Sequence, residues 1–431
     1  MAKQRVTALS ILSEYILFST PFGGKLLKTL LVTTGTRGDV EPFIALAHGL
    51  SSRGHYPVLA APARFAVLAT QQGVEFRPLD DSLLEMQSAL VDGGMASAMA
   101  EMPKIRAAME RSLNDIADLA DEPTDLVVYH PKTLATPMIA EKQGVPAIAA
   151  QLIPLYQPTA EFPAPIMPTE IPHLMNRATW KLIPLIELPW RKTLRRLRRE
   201  RFGLTTPLRG ISDHIRTHGV LNAWSWHLLA PPSGWNADAA PTGFWRCAQG
   251  QWEPPPQLRD FLEAGEAPVY VGFGSMVHKN PEALGQAIKA GVKAAGRRGI
   301  IASGSGALAV EGNDDVYVID SAPHDWVFPR VAAAIHHGGV GTVAAALHAG
   351  IPQVIRPFMG DQHFWSRRVE AIGVGLRLRS VEPAAIGEAL ERALTECVPR
   401  ACVVGDKVRA ERGDEVAVDR LEKLYARQAE R

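Results

Sequence analysis

Four short stretches carry side chains able to do chemistry where the chain turns. Residues 33–39, TTGTRGD, set the carboxylate of Asp39 beside Arg37 in a glycine-containing turn, directly after an apolar run. A carboxylate there serves as the N-cap of a helix beginning at Glu41, or as a general base that gains a proton as charge develops in a transition state. Residues 335–352, IHHGGVGTVAAALHAGIP, end an apolar run in His336-His337 and pass through glycines into a helix expected to start near Thr342. Glycines let backbone approach a ligand closely, and the unpaired N–H groups of a helix start favour an anion such as a diphosphate. An ordinary strand-to-helix turn fits the same residues. Adjacent strand residues point to opposite faces, so His336 and His337 are not expected to share a metal ion. Residues 357–365, PFMGDQHFW, place Asp361 and Gln362 after a strand end, where a carboxylate and an amide suit hydroxyl recognition or helix capping. Residues 269–276, VYVGFGSM, end a strand in Gly-Phe-Gly-Ser, with Ser275 able to bond a phosphate oxygen or to serve the turn alone. The chain holds no DxD motif, so a bound diphosphate would have no evident carboxylate-held metal clamp.

The elements that must position these residues alternate between strand-like and helix-like patterns. In the first half LLVTTG, YPVLAAP, VEFRPL, DLVVYHP and VPAIAAQ read as strands, with EPFIALAHGLSSRGH, FAVLATQQG and TPMIAEKQG as helices between them. The second half restarts the rhythm with APVYVGFGS, RGIIASGSG, VYVIDSAP, AAAIHHGG and PQVIRPF as strands, and a helical tail from Glu382. This β-α-β order predicts parallel sheets covered by helices. Two doubly wound units facing one another place a cleft at the carboxyl ends of both sheets. Between the halves, prolines recur from Pro154 to Pro172, followed by the strongly basic helical stretch 191–204, RKTLRRLRRERFGL. The domain boundaries read as an extension over 1–27, a first unit over 28–235, a linker over 236–256 and a second unit over 257–431, whose last helix packs back on the first.

A chain of 431 residues is comfortable for two such units. Its 46% hydrophobic and 21% charged content is ordinary for a globular protein, and a net charge of +1 argues against a nucleic-acid partner. The three cysteines, Cys247, Cys397 and Cys402, form no CxxC or Cys/His cluster, which fits inert thiols in a reducing compartment. The N-terminal residues MAKQRVTALSILSEYILFSTPFGGK are basic then apolar, yet Glu14 interrupts the stretch and no small-residue cleavage site follows. They read as a surface extension rather than a signal peptide or membrane span.

Taken together, GTRGDVEPFIALAHGL, YVGFGSM, SAPHDWVFPRVAAAIHHGGVGT and GIPQVIRPFMGDQHFWSRRVEAIGVG resemble the GT-B glycosyltransferases of family 1, nearest to the sterol 3-β-glucosyltransferase branch, with antibiotic-tailoring glycosyltransferases as close cousins. The likeness runs from about Leu30 to the end, and PLYQPTAEFPAP with the basic helix after it also resembles the sterol branch. The resemblance implies an α/β GT-B fold of two Rossmann-like domains, the first holding the acceptor and the second a nucleotide sugar, and inversion at the anomeric carbon.

Residue by residue, the resemblance places Asp39 at the catalytic base and Thr36 and Arg37 near the donor phosphates or sugar. It places His337 on the donor phosphates, with Gly339, Gly341 and Thr342 in the backbone turn beside it. Ser321 and His324 line the nucleobase pocket, and Asp361 and Gln362 read sugar hydroxyls. Ser321 stands where the plant small-molecule branch has a base-stacking tryptophan, and Ala345 where it has a ribose-binding glutamate, so uridine and thymidine both stay open. The expected activity is metal- and cofactor-free transfer of a hexose, glucose first, from a UDP-sugar to a hydroxyl of a lipophilic acceptor such as a sterol. Tailoring of a polyketide or peptide aglycone with a UDP- or TDP-deoxysugar, a non-catalytic nucleotide-sugar binder, and an epimerase are the alternatives. The expected location is cytoplasmic, with peripheral membrane contact through the basic helix and Trp180, Ile183, Ile186 and Trp190 before it.

Overall fold

The computed structural model describes residues 25–167, 171–247, 252–274, 280–304 and 307–429. Most of the N-terminal extension and Ser275 lie outside the described residues. Two six-stranded sheets form the frame. The first contains β1 (Lys28–Val32), β2 (Tyr56–Pro62), β3 (Glu75–Leu79), β4 (Leu126–Tyr129), β5 (Ala147–Gln151) and β6 (Val220–Asn222), in the order β3-β2-β1-β4-β5-β6. The second contains β7 (Val269–Gly272), β8 (Gly299–Ala302), β9 (Val316–Ile319), β10 (Ala333–His336), β11 (Gln353–Ile355) and β12 (Gly375–Arg377), in the order β12-β11-β10-β7-β8-β9.

Every strand pairing within these sheets is parallel. Helices cover both faces of a parallel sheet, which is why β4, LVVY, and β5, AIAAQ, are buried throughout and show no polar alternation. The second sheet repeats the strand order of the first. In each, order reverses at one point, between β1 and β4 and between β7 and β10, and the crossovers on either side leave a crevice at the strand ends. The short strands β6 and β12 are absent from the sequence reading.

Five helices set the site: α1 (Arg37–Ser52), α2 (Arg191–Glu200), α3 (Val340–Ala349), α4 (Gln362–Ala371) and α5 (Gly413–Ala429). On α1, Val40, Phe43, Ile44, Ala47 and Leu50 recur at helical spacing and are buried. They share a core cluster with Ala417, Val418, Leu421 and Leu424, so the last helix packs on the first domain. The first part of the segment expected as a linker is tied to both domains. Thr242 Oγ1 donates to the Asn222 carbonyl at 3.0 Å, and the Trp245 ring packs on Phe43 at 6.3 Å. Arg246 then reaches the second half in an ion pair with Asp325. Ring contacts Phe162–Phe364 at 5.3 Å and Trp224–Trp365 at 6.2 Å join the domains beside the cleft.

All three cysteines are free, and burial pushes the half-buried Cys247 thiol up to about 12. Cys397 is buried and Cys402 exposed. Among the described residues, no helix is long and apolar enough to cross a membrane.

Candidate functional site

β1 ends at Val32, and the chain reaches α1 through Gly35 and the N-cap Thr36. Helix α1 begins at Arg37, four residues before the expected start at Glu41, so Asp39 occupies the third helical position rather than the cap. Its Oδ2 reaches back to accept the Thr36 N–H at 2.8 Å and the Thr36 hydroxyl at 3.2 Å. This half of a capping box satisfies a donor that no helical carbonyl can. Gly35 is obligatory: its φ is +124°, and a Cβ there would lie 2.2 Å from Asp39 Oδ2.

Oδ1 of Asp39 faces β4. Because β4 lies beside β1, with Val32 opposite Tyr129, the residues just after Tyr129 arrive next to the α1 turn. Lys132 Nζ donates to Asp39 Oδ1 at 2.7 Å, and buried His130 Nε2 stands 3.8 Å from the same oxygen. The Lys132 backbone N–H donates to His130 Nδ1 at 3.1 Å, which assigns the imidazole proton to Nε2, the nitrogen facing Asp39. Burial and Lys132 drive His130 down to about 3, so it is neutral near pH 7. Burial raises the Asp39 carboxyl, but the Lys132 charge and the hydrogen bonds from Lys132 and Thr36 outweigh it and hold the group below the usual carboxylate range. With His130 neutral, Lys132 is the standing cation. His130 and Lys132 were missed in the sequence reading. The only signal was an ionisable pair just past a buried strand, and its value depends on which strand is the neighbour.

The opposite wall is the second switch point. His336, the last residue of β10, is a satisfied core histidine: Nε2 pairs with Gln353 Oε1 at 2.9 Å, and Nδ1 accepts the Gly338 N–H at 3.0 Å. His337 differs. Its buried Nδ1 has no partner, and burial pushes the ring down to about 4, so it is neutral. Its Nε2 lies against Gly339, where a Cβ would come within 2.5 Å. Helix α3 starts at Val340, two residues before the expected Thr342, with free N–H groups on Val340, Gly341 and Thr342. A Cβ at Gly341 would sit 3.8 Å from the Gly38 Cα, so the N-termini of α1 and α3 meet in van der Waals contact.

Asp361 precedes α4, yet its side chain makes no capping bond. Burial pushes its carboxyl up to about 6; Lys132 lowers it, and the charge of Asp39 raises it further, which places all three in one electrostatic cluster. The fully buried Trp365 indole, one turn on, bears on the same carboxyl and lowers it. Gln362 is buried, and its Oε1 accepts the N–H groups of Phe358 at 2.8 Å and Met359 at 3.1 Å, shaping the loop that presents Asp361. His324 stacks on Phe328 at 4.5 Å and is driven down to about 4 by burial, with His337 and Arg37 adding to it. Arg37 is exposed and paired with Glu41 at 2.8 Å. Ser321 lies exposed in the loop after β9. Among the described residues, no group of three His, Cys, Asp or Glu side chains is placed to hold a metal ion.

Comparison with known proteins bears on what this cleft is for. Residues 29–160 match the glycosyltransferase family 28 N-terminal domain, and residues 301–418 match the erythromycin biosynthesis protein CIII-like C-terminal domain. The O-mycaminosyltylonolide 6-deoxyallosyltransferase of Streptomyces fradiae is 34% identical over 419 residues, covering 91% of this chain and 96% of that protein. The chain belongs to the GT-B glycosyltransferases. The chain is also 35% identical over 368 residues to a sterol 3-beta-glucosyltransferase of Arabidopsis thaliana, covering 81% of this chain and 57% of that one. It is 32% identical over 422 residues to that of Gibberella zeae, spanning only 29% of its length. Solved structures share the fold: the glycosyltransferase SnogD from Streptomyces nogalater aligns with a TM-score of 0.61 at 19% identity over 93% of this chain and 100% of that one. Spinosyn forosaminyltransferase SpnP gives a TM-score of 0.65 at 18% identity, covering 93% and 100%.

Proposed function

We propose that the protein transfers a hexose, glucose in the first instance, from a UDP-sugar to a hydroxyl of a lipophilic acceptor such as a sterol, with inversion and without metal. The observation that carries this reading is the confrontation of Asp39, braced by Thr36 and Lys132, with the N-terminus of α3 and His337. A hydroxyl is far less acidic than a carboxylic acid, so the proton moves only as the bond forms. The acceptor oxygen attacks the anomeric carbon and its proton passes to Asp39. The bond from that carbon to the diphosphate oxygen breaks, and its electron pair leaves with the diphosphate. Attack on the face opposite the leaving group inverts the centre.

His130 carries its proton on Nε2 and so cannot be the base in this arrangement; that N–H faces the Asp39 carboxylate at 3.8 Å, beyond a direct hydrogen bond. The Val340, Gly341 and Thr342 N–H groups and neutral His337 stabilise the charge that grows on the diphosphate. Thr36 orients Asp39, and Arg37 stands near the donor. Asp361 takes sugar hydroxyls, Gln362 positions Asp361, and Ser275, Ser321 and His324 contact the nucleotide. The sterol 3-beta-glucosyltransferases among the relatives support the acceptor class. A second reading, tailoring of a macrolide-like aglycone with a deoxysugar, is favoured by the end-to-end match to the deoxyallosyltransferase.

Mass spectrometry tests both readings. UDP-glucose with a sterol panel, and TDP-sugars with macrolide aglycones, are given to the wild type and to Asp39→Asn. The first reading expects a hexosyl sterol from wild type and about a 10²- to 10⁴-fold loss in the variant, with UDP binding kept. Product only from the macrolide arm establishes the second; tight UDP binding without any product in either arm defeats both.

A further inference from the structure

We propose that residues 174–199 form a docking surface for an anionic lipid bilayer. The segment Trp180–Trp190 is a 3-10 helix whose polarity is inverted. Its one carboxylate, Glu187, is buried with Trp180 and Ile183, while Leu182, Leu185, Ile186 and Leu188 are 43%, 51%, 42% and 51% exposed. A 3-10 helix has three residues per turn, so Leu182, Leu185 and Leu188 stack as one outward ridge. Just before it, Leu174 is 97% exposed. A protein surface seldom clusters exposed leucines in this way unless something apolar covers them.

The flanking charge selects the occupant. Arg177, Lys181, Lys192, Arg195 and Arg199 are exposed and lie in no ion pair among the described residues, whereas Arg196 is bound to Glu110 and Arg201 to Asp118. Apolar ridges ringed by unpaired cations match a membrane with anionic headgroups: the leucines enter the headgroup boundary while the cations stay at its surface. The structure also changes which residues matter. Trp180 and Ile183, expected to meet lipid, face the core, and Arg198 is buried against Glu141 and Thr206. Lys192 and Arg195 are the relevant charges.

Flotation of the purified full chain with phosphatidylcholine vesicles, with and without phosphatidylserine, tests this. The variants are Leu185→Asp/Ile186→Asp and Lys192→Glu/Arg195→Glu. Wild type is expected to float with anionic vesicles and weakly with neutral ones. Each exposed cation removed is expected to lower partitioning about fivefold, and the aspartate pair to abolish it. Thermal midpoints identify a misfolded variant; should the aspartate pair misfold, the charge pair carries the test. Absence of wild-type binding, or binding by both variants as strong as that of wild type, overturns the proposal. So does concentration-dependent dimerisation that the aspartate pair abolishes, which assigns the ridge to a second copy. Vesicle binding is read without any glycosyl transfer, so its outcome is independent of the proposed reaction.

Discussion

Lys132 Nζ lies 2.7 Å from Asp39 Oδ1, across 93 positions of sequence. The proposed base therefore carries a counter-cation that keeps it ionised and also weakens it. The charge of Asp361 also acts on Lys132, so one lysine is coupled electrostatically to a carboxylate of each domain.

Replacing that lysine separates the two effects. Lys132→Met removes the cation holding Asp39 below the usual range, so the acidic limb of kcat/KM moves upward by about one pH unit or more. Activity is then lost at a higher pH as the solution is acidified. Lys132→Arg keeps the charge and is expected to keep the limb near its wild-type place. Superimposable profiles for wild type and Lys132→Met would refute the assignment.

Asp361 sets stability against function. Its folded carboxyl, at about 6, lies above the ordinary value of 3.8. Between those values the folded state binds the proton more tightly than the unfolded chain, so this group's contribution to stability falls as pH rises from about 4 to about 6. Asp361→Asn removes that penalty. Urea unfolding is expected to show the variant more stable than wild type by about 1–3 kcal/mol at pH 7.5, with the gain shrinking towards pH 4. Transfer activity is expected to fall. A gain independent of pH would mean that charge burial is not the cause.

The α3 turn can be probed without touching a polar group. A Cβ on Gly339 collides with His337 Nε2 at 2.5 Å and must displace the ring. Gly339→Ala is expected to weaken UDP binding about tenfold by calorimetry, roughly 1.4 kcal/mol. Unchanged affinity would remove His337 from the donor site.

Trp365 is fully buried where the domains meet. Trp365→Ala is expected to lower unfolding free energy by about 3–5 kcal/mol. A loss below about 1 kcal/mol would mean that the interface repacks around the void.

The sequence by itself determined the parallel α/β architecture, because unbroken apolar runs bounded by glycine turns have few other uses. It also singled out Asp39, His337 and Asp361, whose residue types and strand-end positions are local properties. Tertiary structure decided the partners. Lys132 and His130 meet Asp39 only because β4 pairs with β1, and strand adjacency is not written in any window of the chain. It decided the fate of two neighbours: His336 turns inward to Gln353, while the His337 ring is left with a nitrogen unmet. It also decided direction in the segment before α2, where hydrophobic residues alone predicted contact without saying which would face out. The core had room for Trp180, Ile183 and Glu187, and packing left the leucines to solvent.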